Sequence, residues 1–347
     1  MTGLYVPPPR SDGTIQHRRT RQPWPAGKPF RILSIDGGGI RGILPASVLA
    51  ELERRYLGGE SIARHFDLIA GTSTGGIIAL GLGMGFTAAQ IRDLYLDRGN
   101  LIFPTGRLRR ASIWCRHWVA YAYDRGALES ELRRLFTDRV LGECSSRLCI
   151  PAFDGLHGEP WIYKTPHHPD YTKDQRERVV DVGLATSAAP TFFRPHRVNG
   201  YPMLDGGIWA NNPIMNAVVD ALACFDLDRN SIRVLSLGCG GSSFTMKRGL
   251  DVAGKFFWAK PLLEAGFRAQ SHNAVGQAYL LLGKPNVLRI DAPASAKAVE
   301  LDDYRRAAEE LPPTARALVE ASGVQIRAKF LESAGERQRP GRITTTA

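Results

Sequence analysis

The sequence predicts an α/β fold, with one domain built around a largely parallel central sheet. The chain has 347 residues, of which 44% are hydrophobic, and this is enough to bury one large core. Length alone permits one or two domains. Short apolar runs typical of strands alternate with longer segments of helical spacing, and this alternation favours a single α/β domain. A serine stands in a glycine-rich turn between one such strand and the following helix, at residues 71–75.

The first predicted strand, residues 30–33, is followed by a glycine-rich loop and a helical pattern. Consecutive glycines let backbone N–H groups converge on an anion. The same spacing fits a dinucleotide-binding loop of a Rossmann oxidoreductase, which requires an acidic residue closing a second strand about 20 positions later. Glu60 is near that distance but in a segment typical of a loop, so an oxyanion hole for a serine hydrolase fits better. The loop residues are Gly37, Gly38, Gly39 and Arg41.

The second element is a predicted strand, turn and helix with Ser73 at the turn. The apolar run 66–70 precedes the serine, and small and apolar residues follow it at 76–80. A serine in such a turn adopts a strained backbone, and Gly71 and Gly75 let the two segments pass closely. The turn places Oγ near a helix N-terminus, where free N–H groups favour negative charge. Taken alone, the motif is equally compatible with a tight turn of no chemical role.

Three later strands are predicted at residues 148–151, 161–163 and 232–237. A hairpin is also predicted, because Asn199 and Gly200 form a strong two-residue turn signal. We place its strands at residues 192–194 and 201–204, and the second strand leads directly into Asp205, Gly206 and Gly207. An aspartate at a strand end with glycines behind it is a candidate base. Standing alone, it would be interpreted as a turn aspartate.

Together the three motifs resemble the patatin-like phospholipase family, whose signature is D-G-G-G-x-R-G, then G-x-S-x-G, then D-G-G/A. The resemblance covers residues 30–239. It implies a three-layer α/β/α fold with the serine on a nucleophile elbow. It also implies a phospholipase that cleaves membrane phospholipid acyl esters. Catalysis in this family uses no metal and no cofactor, and it requires no histidine. The residues that it implicates are the dyad Ser73 and Asp205, the oxyanion loop Gly37, Gly38 and Gly39, and the supporting residues Arg41, Gly71, Gly75 and Gly206.

The implied dyad sets a condition on Asp205. The carboxylate must lie within hydrogen-bond reach of Ser73 Oγ, take its proton, and return it to the leaving alcohol. A carboxylate with an unperturbed pKa near 4 is a weak base. We therefore expect an apolar, desolvated pocket that raises the pKa of Asp205.

Residues 62–73 and 206–213 are similar to a narrower bacterial branch, the phospholipase effectors of CBASS antiphage systems. A cyclic dinucleotide such as cyclic GMP-AMP (cGAMP) activates those effectors, so the resemblance implies a cGAMP activator and a role in antiviral defence. In one respect the chain differs, because its loop begins with Asp36 where those effectors often carry serine. The alternatives are a patatin-like esterase without nucleotide control and a non-catalytic scaffold. The intact Ser73, Asp205 and glycine loop argue against a scaffold.

The formal charge of +11 and a pI near 9.6 favour an anionic partner. A phospholipid membrane surface and a cyclic dinucleotide are the expected partners; no nucleic-acid-binding motif occurs, so nucleic acid is not expected. Basic and aromatic residues combine at 107–121 and 255–263, as in segments that lie at lipid headgroups. Packing in the core or in the interface of a homo-oligomer is the alternative for both.

We expect a cytoplasmic protein that is peripheral at the inner face of the cell membrane when active. Five cysteines show no paired spacing, the first residues lack an apolar segment, and no apolar run reaches about 18 residues. Residues 1–28 are predicted to be a flexible basic arm, residues 29–331 the patatin-like domain, and residues 332–347 a disordered tail. Two helices, at 295–311 and 314–331, are predicted to end the domain, separated by Pro312 and Pro313.

Overall fold

A mixed eight-stranded sheet forms the centre of the chain. The computed structural model describes residues 6–10, 19–104, 121–240, 255–293 and 299–333, except for the side chains of 255–264. The basic-aromatic segment predicted at 107–121 therefore lies outside the described residues apart from Tyr121, and so do all the side chains of the segment at 255–263. Most of the predicted tail lies outside them as well.

The predicted largely parallel sheet is confirmed. The strands are β1 Phe30–Ile35, β2 Leu68–Gly71, β3 Arg147–Asp154, β4 Glu159–Lys164, β5 His196–Val198, β6 Tyr201–Asp205, β7 Ile232–Leu237 and β8 Val287–Ile290. Five of them pair in parallel in the order β3-β2-β1-β7-β8. Strand β3 also pairs in antiparallel with β4 and with β6, and β6 pairs in antiparallel with β5. The strands predicted at residues 30–33, 66–70, 148–151, 161–163, 201–204 and 232–237 are present, and β8 was not predicted.

Helices cover both faces of the sheet, which gives the expected three layers. Successive residues of β1 point to opposite faces: Leu33 and Ile35 belong to one buried core, and Phe30 and Ile32 to the other. The first core includes residues of α1 to α5 and α9, and the second includes residues of α7 and α8. The helices are α1 Ile43–Tyr56, α2 Thr74–Gly83, α3 Ala88–Ile102, α4 Gly126–Phe136, α5 Val179–Thr186, α6 Gly207–Ala210, α7 Ile214–Cys224, α8 Lys255–Leu282 and α9 Tyr304–Ile326.

The predicted hairpin is confirmed, but its first strand lies later than expected. Asn199 and Gly200 have φ values of 49° and 91°, and β5 and β6 pair across them. The predicted strand at residues 192–194 does not join the sheet. Instead, the backbone carbonyl of Phe192 accepts a hydrogen bond from the N–H of Tyr123 at 2.9 Å.

The prediction of two C-terminal helices separated by Pro312 and Pro313 is wrong. Helix α9 runs through both prolines and is followed by a π-helical turn at Arg327–Leu331. Interior prolines remove backbone hydrogen bonds and clash with the preceding turn. The helix persists because its buried face recurs every fourth residue and packs on α1, and tertiary packing supplies most helical stability. That face consists of Ala307, Leu311, Ala315, Val319 and Gly323.

The described residues of the predicted N-terminal arm contact the domain. Arg10 Nη2 donates to Asp174 Oδ2 at 2.7 Å, and the Arg10 guanidinium lies 4.2 Å from the centre of the Trp161 ring. Tyr201 donates its hydroxyl hydrogen to the carbonyl of Pro8 at 2.7 Å. The flexibility of this arm and the disorder of the tail stay predictions.

Two further expectations concern cysteines and membrane spans. Cys144, Cys149, Cys224 and Cys239 are buried free thiols, which agrees with the absence of paired spacing in the sequence, and Cys115 lies outside the described residues. Among the described helices, none combines the length and the apolar character that crossing a bilayer requires.

Candidate active site

Ser73 occupies the sharp turn between β2 and α2. Its φ of 56° and ψ of −123° lie in a region that residues other than glycine rarely adopt. The N–H of Ser73 donates to Thr186 Oγ1 at 3.0 Å, and Thr186 Oγ1 in turn donates to the carbonyl of Pro151 at 2.6 Å. These contacts hold the strained backbone, so the hydroxyl stands at the carboxyl end of the sheet and at the first turn of α2.

The two glycines that flank this turn are required sterically. A Cβ atom at Gly71 would lie 2.0 Å from the carbonyl oxygen of Gly75. A Cβ atom at Gly75 would lie 2.3 Å from the carbonyl oxygen of Ile35. Neither neighbour can move easily because both are backbone atoms, one in β1 of the central sheet and the other in α2. The strand–turn–helix predicted around Ser73 is therefore present, with the close approach that the glycines were expected to permit.

Asp205 ends β6 and lies beside Ser73. The carboxylate is 5% exposed, lies beside the Ser73 side chain, and accepts the N–H of Gly207 at 2.6 Å through Oδ1. Burial raises the pKa of Asp205 to about 6, although the Ser73 hydroxyl and the N–H of Gly207 oppose the shift. Gly206 is also required, since a Cβ atom there would lie 2.3 Å from the carbonyl oxygen of Pro151. The structure thus brings the predicted dyad together in the desolvated setting that the chemistry needs.

The glycine loop follows β1 and faces the same point. The N–H of Gly37 is already used, because it donates to the carbonyl of Asn211 at 2.9 Å. The N–H of Ile40 likewise donates to the carbonyl of Leu301 at 2.9 Å. In the part of the chain that the structure describes, the N–H groups of Gly38 and Gly39 donate no hydrogen bond. These two groups are therefore the donors that the loop can offer to an oxyanion.

Arg41 braces this loop. Its Nε donates to the carbonyl of Gly38 at 3.3 Å, and its Nη1 donates to the carbonyl of Gly240 at 3.0 Å. These contacts fit the supporting role that the resemblance implies for Arg41.

Asp36, at the start of the loop, is buried and paired with Arg289 of β8. Burial raises the pKa of Asp36, and the adjacent Arg289 guanidinium opposes this shift. Burial lowers the pKa of Arg289, but the carboxylates of Asp36 and Asp291 outweigh it and the pKa is raised. The bidentate contact with the guanidinium favours the ionised form of Asp36, against the effect of burial. Sequence analysis missed Arg289, and the apolar run at residues 287–290 was the signal that could have located its strand.

An apolar cavity opens beside the dyad. Its volume is about 110 Å³, and Ser73, Asp205, Arg41 and the three loop glycines lie at its polar end. No histidine is among its lining residues in the described part of the chain. A hydrocarbon chain can fill such a space with its ester group at the serine. The apolar wall includes Ile77, Ile102, Phe103, Leu128, Phe192 and Phe193.

A second buried polar cluster lies on the other face of the sheet. Cys149, His167 and Asp220 place potential ligand atoms within 4.8 Å of one another. Lys164 Nζ lies 2.6 Å from Asp220 Oδ1, and His167 Nε2 lies 2.7 Å from Asp220 Oδ2. Burial raises the pKa of the Cys149 thiol well above its usual value. Because an ammonium already neutralises the carboxylate and the thiol stays protonated, this cluster fits an internal ion pair better than a metal site.

Several known proteins are similar in sequence to this chain. Residues 33–218 match the family described as patatin-like phospholipase. A "cGAMP-activated phospholipase" of Pseudomonas aeruginosa is 33% identical over 268 residues, which cover 77% of this chain and 79% of the relative. Proteins of the same description from Escherichia coli and Vibrio cholerae are 35% and 33% identical. These matches cover 63% and 65% of this chain, and 65% and 68% of the relatives' lengths.

Proposed function

The chain belongs to the patatin-like phospholipase family, and we propose that it is a serine-hydrolase-type phospholipase that cleaves the acyl esters of membrane phospholipids. The observation that carries this proposal is that Ser73 and the buried carboxylate of Asp205 lie side by side at the polar end of an apolar cavity. A scaffold has no need for a strained serine beside a buried carboxylate. The proposed catalytic residues are Ser73 and Asp205, with Gly38 and Gly39 as oxyanion donors.

In the acylation step, Ser73 Oγ attacks the ester carbonyl carbon while its proton passes to Asp205. The carbonyl oxygen becomes an oxyanion, which the N–H groups of Gly38 and Gly39 stabilise together with the N-terminus of α2. The tetrahedral intermediate collapses, the carbon–oxygen bond to the glycerol breaks, and Asp205 returns the proton to the leaving alcohol. The products of this step are a lysophospholipid and an acyl-enzyme on Ser73.

Deacylation repeats the sequence with water as the nucleophile. Asp205 takes a proton from the water, which attacks the acyl carbon, and the proton then returns to Ser73 Oγ as the fatty acid leaves. Asp205 thus serves as base and acid in both steps, and its raised pKa of about 6 suits both roles near neutral pH.

The proposed control of this activity is activation by cGAMP. Support comes from the three relatives described as cGAMP-activated phospholipases and from the net charge of +11, which suits a ligand with two phosphates. An unrestrained phospholipase in the cytoplasm would damage the membrane of its own cell. Control by a ligand would prevent this damage. In this proposal the protein acts in antiviral defence, is cytoplasmic, and is peripheral at the inner face of the membrane when active. The proposal is compatible with a monomer and with a homo-oligomer.

The decisive experiment measures hydrolysis of fluorogenic phospholipid vesicles by the wild type and by Ser73→Ala, with cGAMP and with other cyclic dinucleotides. We expect fatty acid release that requires Ser73 and rises strongly with cGAMP. High basal hydrolysis with no response to any cyclic dinucleotide would favour the esterase without nucleotide control. Equal, negligible hydrolysis by both proteins under all conditions would favour the scaffold.

A further inference from the structure

The Arg289 side chain makes four hydrogen bonds at the base of the glycine loop. Its Nη1 and Nη2 donate to the two carboxylate oxygens of Asp36 at 2.8 and 2.7 Å, which is a bidentate pair. Nη2 also donates to Asp291 Oδ2 at 2.7 Å, and Nη1 donates to Ser236 Oγ at 2.8 Å. The guanidinium is planar, so this arrangement fixes the orientation of the Asp36 carboxylate.

The register of the sheet explains how Arg289 reaches the loop. Arg289 in β8 is level with Ser236 in β7, which is level with Ser34 in β1. The Arg289 side chain therefore crosses the end of β7 to reach Asp36, just beyond β1. Asp36 directly precedes Gly37, so any shift of Asp36 moves the first residue of the loop.

A second route connects Arg289 to the other side of the loop. Asp291 Oδ1 accepts the N–H of Gly240 at 2.9 Å. The carbonyl of Gly240 accepts from Arg41, which also donates to the carbonyl of Gly38. With the Arg289 contacts to both aspartates, these bonds form a closed ring around the loop.

We propose that Arg289 is a positioning residue for catalysis, which holds the N–H groups of Gly38 and Gly39 toward Ser73 by clamping Asp36 and Asp291. This inference rests on the proposed hydrolase function. Without the guanidinium, Asp36 would be a buried carboxylate with no counter-charge beside a second carboxylate. The Asp36 carboxylate would then take up a proton or turn away, and Gly37, the first residue of the loop, would no longer be held in position.

A purely structural ion pair would give a different result from a positioning residue. Loss of a structural pair lowers the free energy of unfolding and leaves the kcat of the molecules that stay folded unchanged. Loss of loop positioning lowers kcat and spares KM, since oxyanion contacts form mainly in the transition state. The two roles therefore separate in the kinetics of folded protein.

The experiment compares the wild type with Arg289→Met, Arg289→Lys and the control Arg178→Met, which removes the surface ion pair with Asp181. The measured quantities are kcat and KM for a soluble p-nitrophenyl ester with cGAMP present, together with the thermal unfolding midpoint. Arg289→Met should lower kcat at least tenfold and change KM less than twofold. Arg289→Lys should restore part of kcat, because it keeps the charge but cannot bridge both carboxylates as a planar fork. The control should match the wild type.

A second test places Arg289→Met in an Asp36→Asn chain, where no carboxylate at position 36 needs a counter-charge. The double variant should be little slower than the slower single variant, whereas multiplied losses would show that Arg289 acts elsewhere. Wild-type kcat in folded Arg289→Met would overturn the inference, as would a change confined to KM. If Arg289→Met does not fold, Arg289→Lys decides, and its full kcat would overturn the inference. Hydrolysis by the wild type separates that outcome from failure of the proposed function, in which the wild type is itself inactive.

Discussion

Replacing Asp205 by asparagine should abolish hydrolysis and at the same time stabilise the folded protein. The carboxylate is buried, and its pKa is raised from 3.8 to about 6, chiefly by desolvation. At pH 7 the group is ionised in both the folded and the unfolded chain, so the raised pKa destabilises the fold. A shift of about two pKa units corresponds to about 3 kcal/mol. Asparagine is nearly isosteric and keeps an oxygen for the N–H of Gly207, so the variant should regain most of this free energy.

The stability difference between Asp205→Asn and the wild type should increase with pH. Below about pH 4, Asp205 is protonated in both states, and the wild type carries no penalty. As pH rises from about 4 to 6, the unfolded chain ionises first, and the wild type loses stability until the penalty is complete above pH 6. The advantage of Asp205→Asn should therefore be about 3 kcal/mol at pH 7, about half of that at pH 5, and close to zero at pH 3.5.

Two measurements check these expectations. Urea unfolding at several pH values gives the free energies, with Asp226→Asn as a control, because the Asp226 side chain is 79% exposed. Ester hydrolysis gives kcat/KM, which should rise with pH through about 6 in the wild type and fall by at least about 10²–10⁴-fold in Asp205→Asn. A variant that is less stable than the wild type at pH 7, or a wild-type profile with no limb near pH 6, would refute the assignment of a desolvated Asp205 base.

Three other predictions concern the dyad, the loop and the membrane. Ser73→Ala should abolish ester turnover, and its combination with Asp205→Asn should be scarcely worse, since the two act as one unit; normal turnover in folded Ser73→Ala would exclude the dyad. Gly38→Ala should lower kcat about 10²–10³-fold, because its Cβ would lie 2.4 Å from that of Cys239, and Cys239→Gly in the same chain should restore part of it. An unchanged kcat would place the oxyanion elsewhere. Hydrolysis should be faster on anionic than on neutral vesicles, and the preference should fade at 0.5 M salt; equal rates on both would show that the charge of +11 serves another partner.

Local steric requirements explain why the elbow could be predicted. Gly71, Ser73 and Gly75 lie within five residues, and the close contacts that require the glycines arise from the strand–turn–helix itself. The apolar runs of the strands β1, β2, β3, β4 and β7 are equally local signals. The family resemblance carried by the three ordered motifs then implied that Asp205 lies beside Ser73, although 132 positions separate them in the sequence.

Contacts that depend on the order of strands could not be predicted in this way. Arg289 meets Asp36 across 253 positions, and only the parallel pairing of β1, β7 and β8 brings them together. The carbonyl that occupies the N–H of Gly37 belongs to Asn211, so the number of free donors in the loop was equally hidden. The prolines of α9 gave a strong local signal for a helix end, and packing on α1 outweighed it.

The proposed dyad contains no histidine, so the strength of its base would depend on the burial of Asp205. A carboxylate with its ordinary pKa is too weak a base, and one with a much higher pKa would be protonated, and therefore inactive as a base, at neutral pH. Desolvation raises the pKa of Asp205, while the Ser73 hydroxyl and the hydrogen bond from the N–H of Gly207 limit the rise. With a pKa of about 6, roughly 90% of Asp205 is ionised at pH 7, yet its proton affinity exceeds that of an exposed carboxylate about 100-fold. Removing the N–H contact of Gly207 should therefore move the pH limb upward, and a limb that moved downward would contradict this account of the base.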